Sequence, residues 1–177
     1  MRPVTRNTVD QAAQEALSGL ESDITAINAA AVPTEPAVWT NFPNADAAIT
    51  LNGFRGNFLS VPYKMTINRA RIRVANNSGN ISVAIYNQAG TTRLSTSGAI
   101  ACPAIGNADV TLSEVTLDKG VYFVGMSADN TAATFSMNNF ARVLGAAATA
   151  SAHPAPTTVT VDDASTGGVP TIGLFHS

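Results

Sequence analysis

The sequence has 177 residues, a length that suits one sizeable domain with an added stem rather than two full domains. Only 12% of the residues are charged, about half the usual share for soluble proteins, and the formal net charge is −2. This charge gives no general attraction to nucleic acid, and we expect no nucleic-acid partner. We find no apolar run typical of a transmembrane helix or a signal peptide. We therefore expect that the protein is synthesised in the cytoplasm and does not associate with a membrane.

Residues 1–32 are predicted to form an anchor and a trimerisation helix. Apolar residues recur there at alternating spacings of four and three, the heptad pattern of a coiled-coil seam: Ala13, Leu17, Leu20, Ile24, Ile27 and Ala31. Two interpretations fit this pattern, an intersubunit bundle and a helix that lies along its own β-domain. We favour the bundle because the apolar stripe is narrow, and a trimer because Leu and Ile are mixed at the core positions.

The residues before the helix are short, polar and basic. Arg2, Pro3, Val4 and Arg6 lie in this stretch, and we interpret them as a peg that inserts into a larger assembly. The alternative is a disordered terminus, which is common at the ends of a chain.

Residues 33–62 are predicted to connect the helix to a β-domain. The segment is rich in turn residues such as Asn52-Gly53 and Gly56-Asn57, and only one short strand is predicted, around Ala48 to Leu51. Trp39 and Phe42 lie in it and have two interpretations: a stacking platform for a sugar, or a plug that packs at the end of a sandwich or against the stem.

Residues 63–177 are predicted to form a β-sandwich head. Short β-type runs separated by turn sequences predict strands near 64–75, 80–87, 91–97, 108–117, 120–128, 132–138 and 170–176. This number and spacing of strands indicate a mainly β fold, a jelly-roll-like antiparallel sandwich preceded by one helix. The runs Ile81 to Tyr86 and Val121 to Val124 are apolar on both faces, so we expect neighbouring subunits to cover an outer face.

Three arginines alternate with apolar residues in one predicted strand. Arg69, Arg71 and Arg73 are separated by Ala70 and Ile72, so their side chains share one face of the strand. Such a stripe suits an acidic partner surface, a sulfated glycan or a phosphate. The alternative is a solvated strand face whose charges prevent edge aggregation.

The remaining residues with chemical potential give no pattern of an active site. Cys102 is the only cysteine, and Asp162-Asp163 lacks the alternating spacing of a calcium loop. His153 and His176 have no nucleophile or metal-ligand partner nearby in sequence. We therefore predict no enzyme activity, no cofactor and no metal; a catalytic site would require one of the histidines to meet a nucleophile in the fold.

Three stretches resemble the β-sandwich heads of bacteriophage fibre and decoration proteins. They begin at Gly79-Asn80-Ile81-Ser82, Arg93-Leu94-Ser95-Thr96 and Leu117-Asp118-Lys119-Gly120, and the resemblance covers roughly residues 64–140. It is a pattern of strands and turns, and similar strings occur in carbohydrate-binding sandwiches of secreted bacterial enzymes. The β-sandwich heads of such phage proteins commonly follow a short N-terminal helix, form trimers and attach through the N-terminus.

The resemblance implies a structural protein of a phage virion, a trimeric head decoration, head fibre or similar appendage. Its partners would be its own copies and, through the N-terminus, another capsid or tail protein. The alternative is a tail-fibre tip or carbohydrate-binding module that contacts a host-surface glycan through Trp39, Phe42, Arg69, Arg71 and Arg73. A tip should present exposed aromatic and hydrogen-bonding side chains, whereas a decoration protein can have a bland exterior.

Overall fold

A computed structural model describes residues 11, 13–23, 36–40, 45–49, 53–138, 148–149, 153–161 and 168–176 of the chain. The chain divides into two compact units, Met1–Thr34 and Glu35–Ser177. The predicted anchoring residues (Arg2, Pro3, Val4 and Arg6) lie outside the described residues, as do Ile24, Ile27, Ala31, Phe42, Asp162 and Asp163.

The first unit contains the predicted helix. Residues 11 and 13–23 are helical, and all of them are exposed. Leu17 and Leu20 belong to the predicted seam and are 62% and 63% exposed. None of the described helical segments is long and apolar enough to cross a membrane.

The second unit is a sandwich of two antiparallel sheets. Among the described residues, sheet A has seven strands: β1 (Val38–Trp39), β2 (Ala45–Ala48), β4 (Met65–Asn76), β8 (Gly106–Leu117), β10 (Thr134–Asn138), β12 (Val169–Pro170) and β13 (Gly173–His176). In the same part of the chain, sheet B has six: β3 (Phe54–Val61), β5 (Asn80–Asn87), β6 (Arg93–Thr96), β7 (Ile100–Ala101), β9 (Gly120–Ala128) and β11 (Ala148–Thr149).

The strand pairing has jelly-roll topology. Four antiparallel pairs are nested in sequence: β2 with β10, β3 with β9, β4 with β8 and β5 with β6. The outermost and third pairs lie in sheet A, and the other two lie in sheet B. This is the arrangement of a long hairpin rolled into two sheets. It confirms the prediction of a mainly β, jelly-roll-like sandwich preceded in sequence by one helix.

The main core lies between the two sheets. Alternate residues of each strand point into it, including Ile67 and Ile72 from sheet A and Ile81 and Ile85 from sheet B, all at most 1% exposed. In β4 the inward set changes from odd to even positions because the register shifts between Ile67 and Arg69. This bulge places the three arginines on the outer face of sheet A.

A second apolar cluster covers the outer face of sheet B. Phe54, Tyr86 and Phe123 project outwards from β3, β5 and β9 and pack beneath residues 153–161 of the same chain, which we call the strap. Ala155 and Val159 of the strap are 1% and 6% exposed within this cluster.

The strap corrects the expectation that neighbouring subunits cover a two-sided apolar strand. Backbone hydrogen bonds tie it to the β5–β6 hairpin, from Val159 N to Gly90 O at 2.8 Å and from Arg93 N to Thr157 O at 3.1 Å. The outward-facing Ala84, Tyr86 and Phe123 are therefore buried by the chain itself, because the C-terminal segment returns across sheet B, whereas Val121 at the start of β9 remains 40% exposed.

Strand β3 was missed by the sequence prediction. Gly56 and Asn57 read as turn residues, yet both lie inside a strand paired with β9 along its whole length. A Cβ at Gly56 would lie 2.6 Å from the Val124 carbonyl oxygen and 2.8 Å from the Phe123 ring. The glycine is therefore required by a close approach within the sheet, not by a turn.

The buried Tyr86 is expected to make the sandwich less stable as the pH rises into the alkaline range. Its hydroxyl donates a hydrogen bond to the carbonyl of Pro156 in the strap at 2.7 Å, and its side chain is fully buried. Burial raises the pKa of the phenol above its ordinary value near 10, and the nearby Arg93 guanidinium offsets only part of that rise. The folded state therefore keeps the proton at pH values where the unfolded chain releases it.

We expect Tyr86→Phe to lower the free energy of unfolding by about 1 kcal/mol at pH 8, because a buried hydrogen bond is lost. The advantage of tyrosine is complete below about pH 10 and shrinks by up to about 1.4 kcal/mol per pH unit above it, because folding then opposes ionisation. Urea unfolding of both proteins from pH 8 to pH 11 measures this difference. Parallel stability curves over that range would contradict the assignment.

Candidate binding face on sheet A

The outer face of sheet A gathers the arginine stripe and one of the predicted aromatic residues. The inward side chains of β4 at Ala70, Ile72 and Val74 belong to the core, so the arginines between and before them point outwards. We call the outward-facing set the arginine face: Trp39, Arg69, Arg71, Arg73, Asn107, Asp109 and Phe175.

One row of directly opposed residues crosses four strands of this face. Trp39 of β1 is paired with Gly173 of β13, Gly173 with Arg71 of β4, and Arg71 with Asp109 of β8. The sandwich therefore brings an indole, a guanidinium and a carboxylate onto one line. The sequence predicted that the arginines share a face, but it did not predict Asp109 or the pairing with β1.

Asp109 fixes two of the three arginines. Its Oδ1 accepts a hydrogen bond from Arg71 Nε at 2.7 Å, and its Oδ2 accepts one from Arg71 Nη2 at 3.1 Å. Arg69 Nη1 donates to the same Oδ2 at 3.1 Å. The side chains of all three residues are 16–30% exposed, so this is a partly desolvated, bidentate ion pair of defined geometry.

Phe175 supports the same two guanidinium groups from β13. The Arg69 Cζ atom lies 3.9 Å from the centre of its ring and the Arg71 Cζ atom 4.8 Å, distances at which cations bind an aromatic face. Phe175 itself is only 1% exposed. Arg69 and Arg71 are thus held by a carboxylate and by an aromatic ring, a preorganised arrangement of hydrogen-bond donors.

Trp39 is held at the edge of the face with its indole 41% exposed. Its strand is fixed to β13 by hydrogen bonds from Ala37 N to Leu174 O at 2.8 Å and from Thr40 N to Ile172 O at 2.9 Å. A Cβ at Gly173 would lie 2.5 Å from Pro36 Cγ and 3.0 Å from Trp39 Cε3. The absence of a side chain at Gly173 therefore lets Pro36 and Trp39 lie directly on the sheet.

Arg73 differs from the other two arginines because it is exposed and lies opposite the exposed Asn107 of β8. Within the part of the chain that the structure describes, no ion pair of Arg73 is found. An open groove of about 490 Å³ reaches the arginine face at Asp109 and lies between β8 and strands β6 and β7. Asp109, Thr111, Ser113, Thr96 and Ser97 give it polar walls.

Comparison with known proteins gives little that bears on this face. The sequence matches no protein-family model and no curated protein. One solved structure similar to part of the chain is a carbohydrate-binding module of lichenase 5A from Cellvibrio mixtus in complex with cellotriose, with 20% identity and a TM-score of 0.30. The match covers 45% of this chain and 60% of that module, and a likeness at this level does not indicate what this chain binds.

His153 lies beside a hydroxyl group, the arrangement that an enzyme would require. Its Nδ1 atom is 3.0 Å from Ser127 Oγ, which projects from the outer face of sheet B towards the strap. Ser127 is 0% exposed, so no substrate can reach its oxygen while the strap is in place. The geometry therefore favours a polar tie between strap and sheet, the same role as the bond from Tyr86.

The other titratable candidates do not assemble into a site. The pKa of the Asp129 carboxyl is lowered, chiefly by hydrogen bonds from the Asn80 backbone and side chain, which makes Asp129 a structural acceptor at the β5 end. Burial raises the pKa of the Cys102 thiol, so the reactive thiolate is disfavoured. His176 is exposed at the end of β13, and the described residues contain no group of three metal-ligating side chains.

Proposed function

We propose that this protein is a non-catalytic glycan-binding sandwich carried on a self-associating N-terminal helix, with the arginine face as the ligand surface. The observation that carries the proposal is the row in which the exposed Trp39 lies in register with Arg71 and Asp109. The setting that best fits such a module is the tip of a phage fibre, in agreement with the resemblance of its strands and turns to phage fibre heads.

The chemistry of the row suits a sugar. An exposed indole offers a flat apolar surface for the C–H face of a pyranose ring, and a few fixed polar groups beside it set the orientation of the hydroxyl groups. Arg71 and Asp109 supply donors and acceptors whose positions are fixed before the ligand arrives, so little conformational entropy is lost on binding. An exposed aromatic residue beside fixed hydrogen-bonding groups is what a fibre tip should present, whereas a decoration protein can have a bland exterior.

The helix contributes to the same function through multivalency. A single shallow site gives weak binding, whereas linked copies raise the overall avidity by up to about 10²–10⁴-fold when they engage together. A trimer would present three arginine faces to one host surface. The exposed Leu17 and Leu20 side chains support such an assembly, because an apolar seam gains stability when copies bury it.

The first test is a glycan array probed with the intact protein and with Trp39→Ala. We expect binding to a restricted set of glycans and a loss of about tenfold or more in affinity for the variant, because an exposed aromatic anchor is removed. Tyr63→Ala is the matched control, since Tyr63 is 55% exposed on the β3–β4 loop, away from the arginine face. The proposal would be contradicted if no glycan of a broad array were bound, or if Trp39→Ala and Tyr63→Ala lost the same amount of affinity.

A structural decoration or head fibre of the virion is the second candidate function. It is favoured by the exposed seam residues of the helix, which serve an anchored trimer whether or not the sandwich binds a ligand. In that case the N-terminal residues attach to a capsid or tail protein, and the variant Trp39→Ala assembles and functions normally. Both candidates place the protein in the virion and need neither a cofactor nor catalysis.

A further inference from the structure

We infer that the ligand of the arginine face is an acidic oligosaccharide of at least two sugar units, with a carboxylate bound by Arg73 and Asn107. This inference depends on the proposed glycan-binding function and names its ligand class.

The charge of the face favours an anion. The arginine face carries three guanidinium groups and the carboxylate of Asp109. Asp46 of β2 lies on the same side of sheet A, where its Oδ1 accepts a hydrogen bond from Ser136 Oγ at 3.0 Å, so these groups together have a net charge of +1 on a chain whose total is −2. The rest of the protein is therefore negative, and the positive charge is concentrated on one side of one sheet. A local field of this kind attracts an anionic ligand to the face and repels it elsewhere.

Arg73 is the arginine that is open to such a ligand. Arg69 and Arg71 already share Asp109 and rest on Phe175, whereas the Arg73 side chain extends into solvent opposite the Asn107 amide. A guanidinium group binds the two oxygens of a carboxylate through parallel hydrogen bonds, and an adjacent amide N–H adds a third donor. These donors fit the carboxylate of a uronic or sialic acid, which is the acidic group that we assign to the ligand.

The spacing of the face sets the minimum length of the ligand. Trp39 and Arg71 are two strand spacings apart, about 10 Å, and Arg73 lies about 7 Å further along β4. The backbone separation of Trp39 and Arg73 is therefore roughly 12 Å, more than a single pyranose ring spans. We therefore expect the indole and the Arg73 guanidinium to contact different sugar units of the same chain.

Two matched pairs of probes test the inference by calorimetry: hexagalacturonate against its methyl ester, and 3′-sialyllactose against lactose. We expect the acidic member of at least one pair to bind about tenfold more tightly than its neutral partner, the effect of one charge-assisted contact. Arg73→Gln should remove that preference, so that the acidic and neutral members of the pair bind with the same affinity. Lys64→Gln removes the same charge roughly 30 Å away along β4, from a side chain 72% exposed, and should keep the preference.

The outcomes separate the inference from the function it depends on. Neutral glycans bound through Trp39 with no preference for either acid would overturn the inference and leave the glycan-binding function intact. Binding to no glycan at all would overturn both. Equal losses of affinity for the acidic sugar in Arg73→Gln and Lys64→Gln would show attraction by overall charge alone. A sulfated trisaccharide or an acidic peptide bound as tightly as the acidic sugar would show that the sugar carboxylate is not recognised. Each of these results contradicts the inference.

Discussion

Replacement of Gly125 by alanine is expected to lower the free energy of unfolding of the sandwich by about 3 kcal/mol, through overpacking. Gly125 lies in β9 directly opposite Gly56 of β3. A Cβ there would lie 2.5 Å from the Arg55 carbonyl oxygen, 2.5 Å from Phe54 Cζ and 2.8 Å from Gly56 Cα. Two of these three neighbours are backbone atoms, so relief of the clash would require the strands to separate.

Gly120→Ala provides the control on the same strand. A Cβ at Gly120 would lie 3.7 Å from its nearest neighbour, an ordinary van der Waals contact, and we expect a change of no more than about 0.5 kcal/mol. Urea unfolding followed by Trp39 fluorescence compares the two variants. If Gly125→Ala were as stable as Gly120→Ala, the result would contradict the close approach of β3 and β9 at Gly125.

The Gly56–Gly125 pair also explains how sheet B carries aromatic rings on its outer face. Without side chains at these positions, the Phe54 ring covers Gly125 and the Phe123 ring covers Gly56. The two ring centres lie 6.3 Å apart, and the strap closes over them. Gly56, which the sequence analysis interprets as a turn residue, thus builds with Gly125 the surface on which the strap rests.

Local turn chemistry made much of the fold predictable. Gly79 and Gly90 have φ values of +60° and +73°, which other residues rarely adopt, and they end the predicted turns on either side of β5. The predicted strand 120–128 matches β9, and 80–87 matches β5. These elements are specified by residues close together in sequence, and such signals are the ones that a single sequence contains.

The ligand face was predictable only in part, because its composition depends on strand register. Period-two alternation is enough to place the three arginines on one side of β4. The partner of Arg71, however, lies 38 residues along the chain in β8, where Asp109 is one polar residue among several in an alternating strand. No local signal selects it, and none places Trp39 beside Gly173, since both pairings follow from the roll of the whole sandwich.

The other large effect is expected from substitutions in the N-terminal seam, which should change the oligomeric state. We expect the intact protein to be a trimer in solution, and we expect Leu17→Asp with Leu20→Asp to convert it to monomers. Each substitution would place unpaired carboxylates in the apolar seam of three helices, and burying such a charge costs several kcal/mol. Because Leu17 and Leu20 are exposed in the single chain, the same changes should leave the unfolding of the sandwich unaffected.

Ser18→Asp with Ser22→Asp is the matched control for the seam. These residues lie at heptad positions b and f of the same exposed helix, so the variant adds the same charge away from the helix interface. Sedimentation equilibrium of the three proteins gives their masses directly. A monomeric parent protein, or equal dissociation in both double variants, would remove the basis for a trimeric appendage. A trimer lost only in the Leu17 and Leu20 variant would leave each monomer with one arginine face, and its avidity for a glycan surface should fall accordingly.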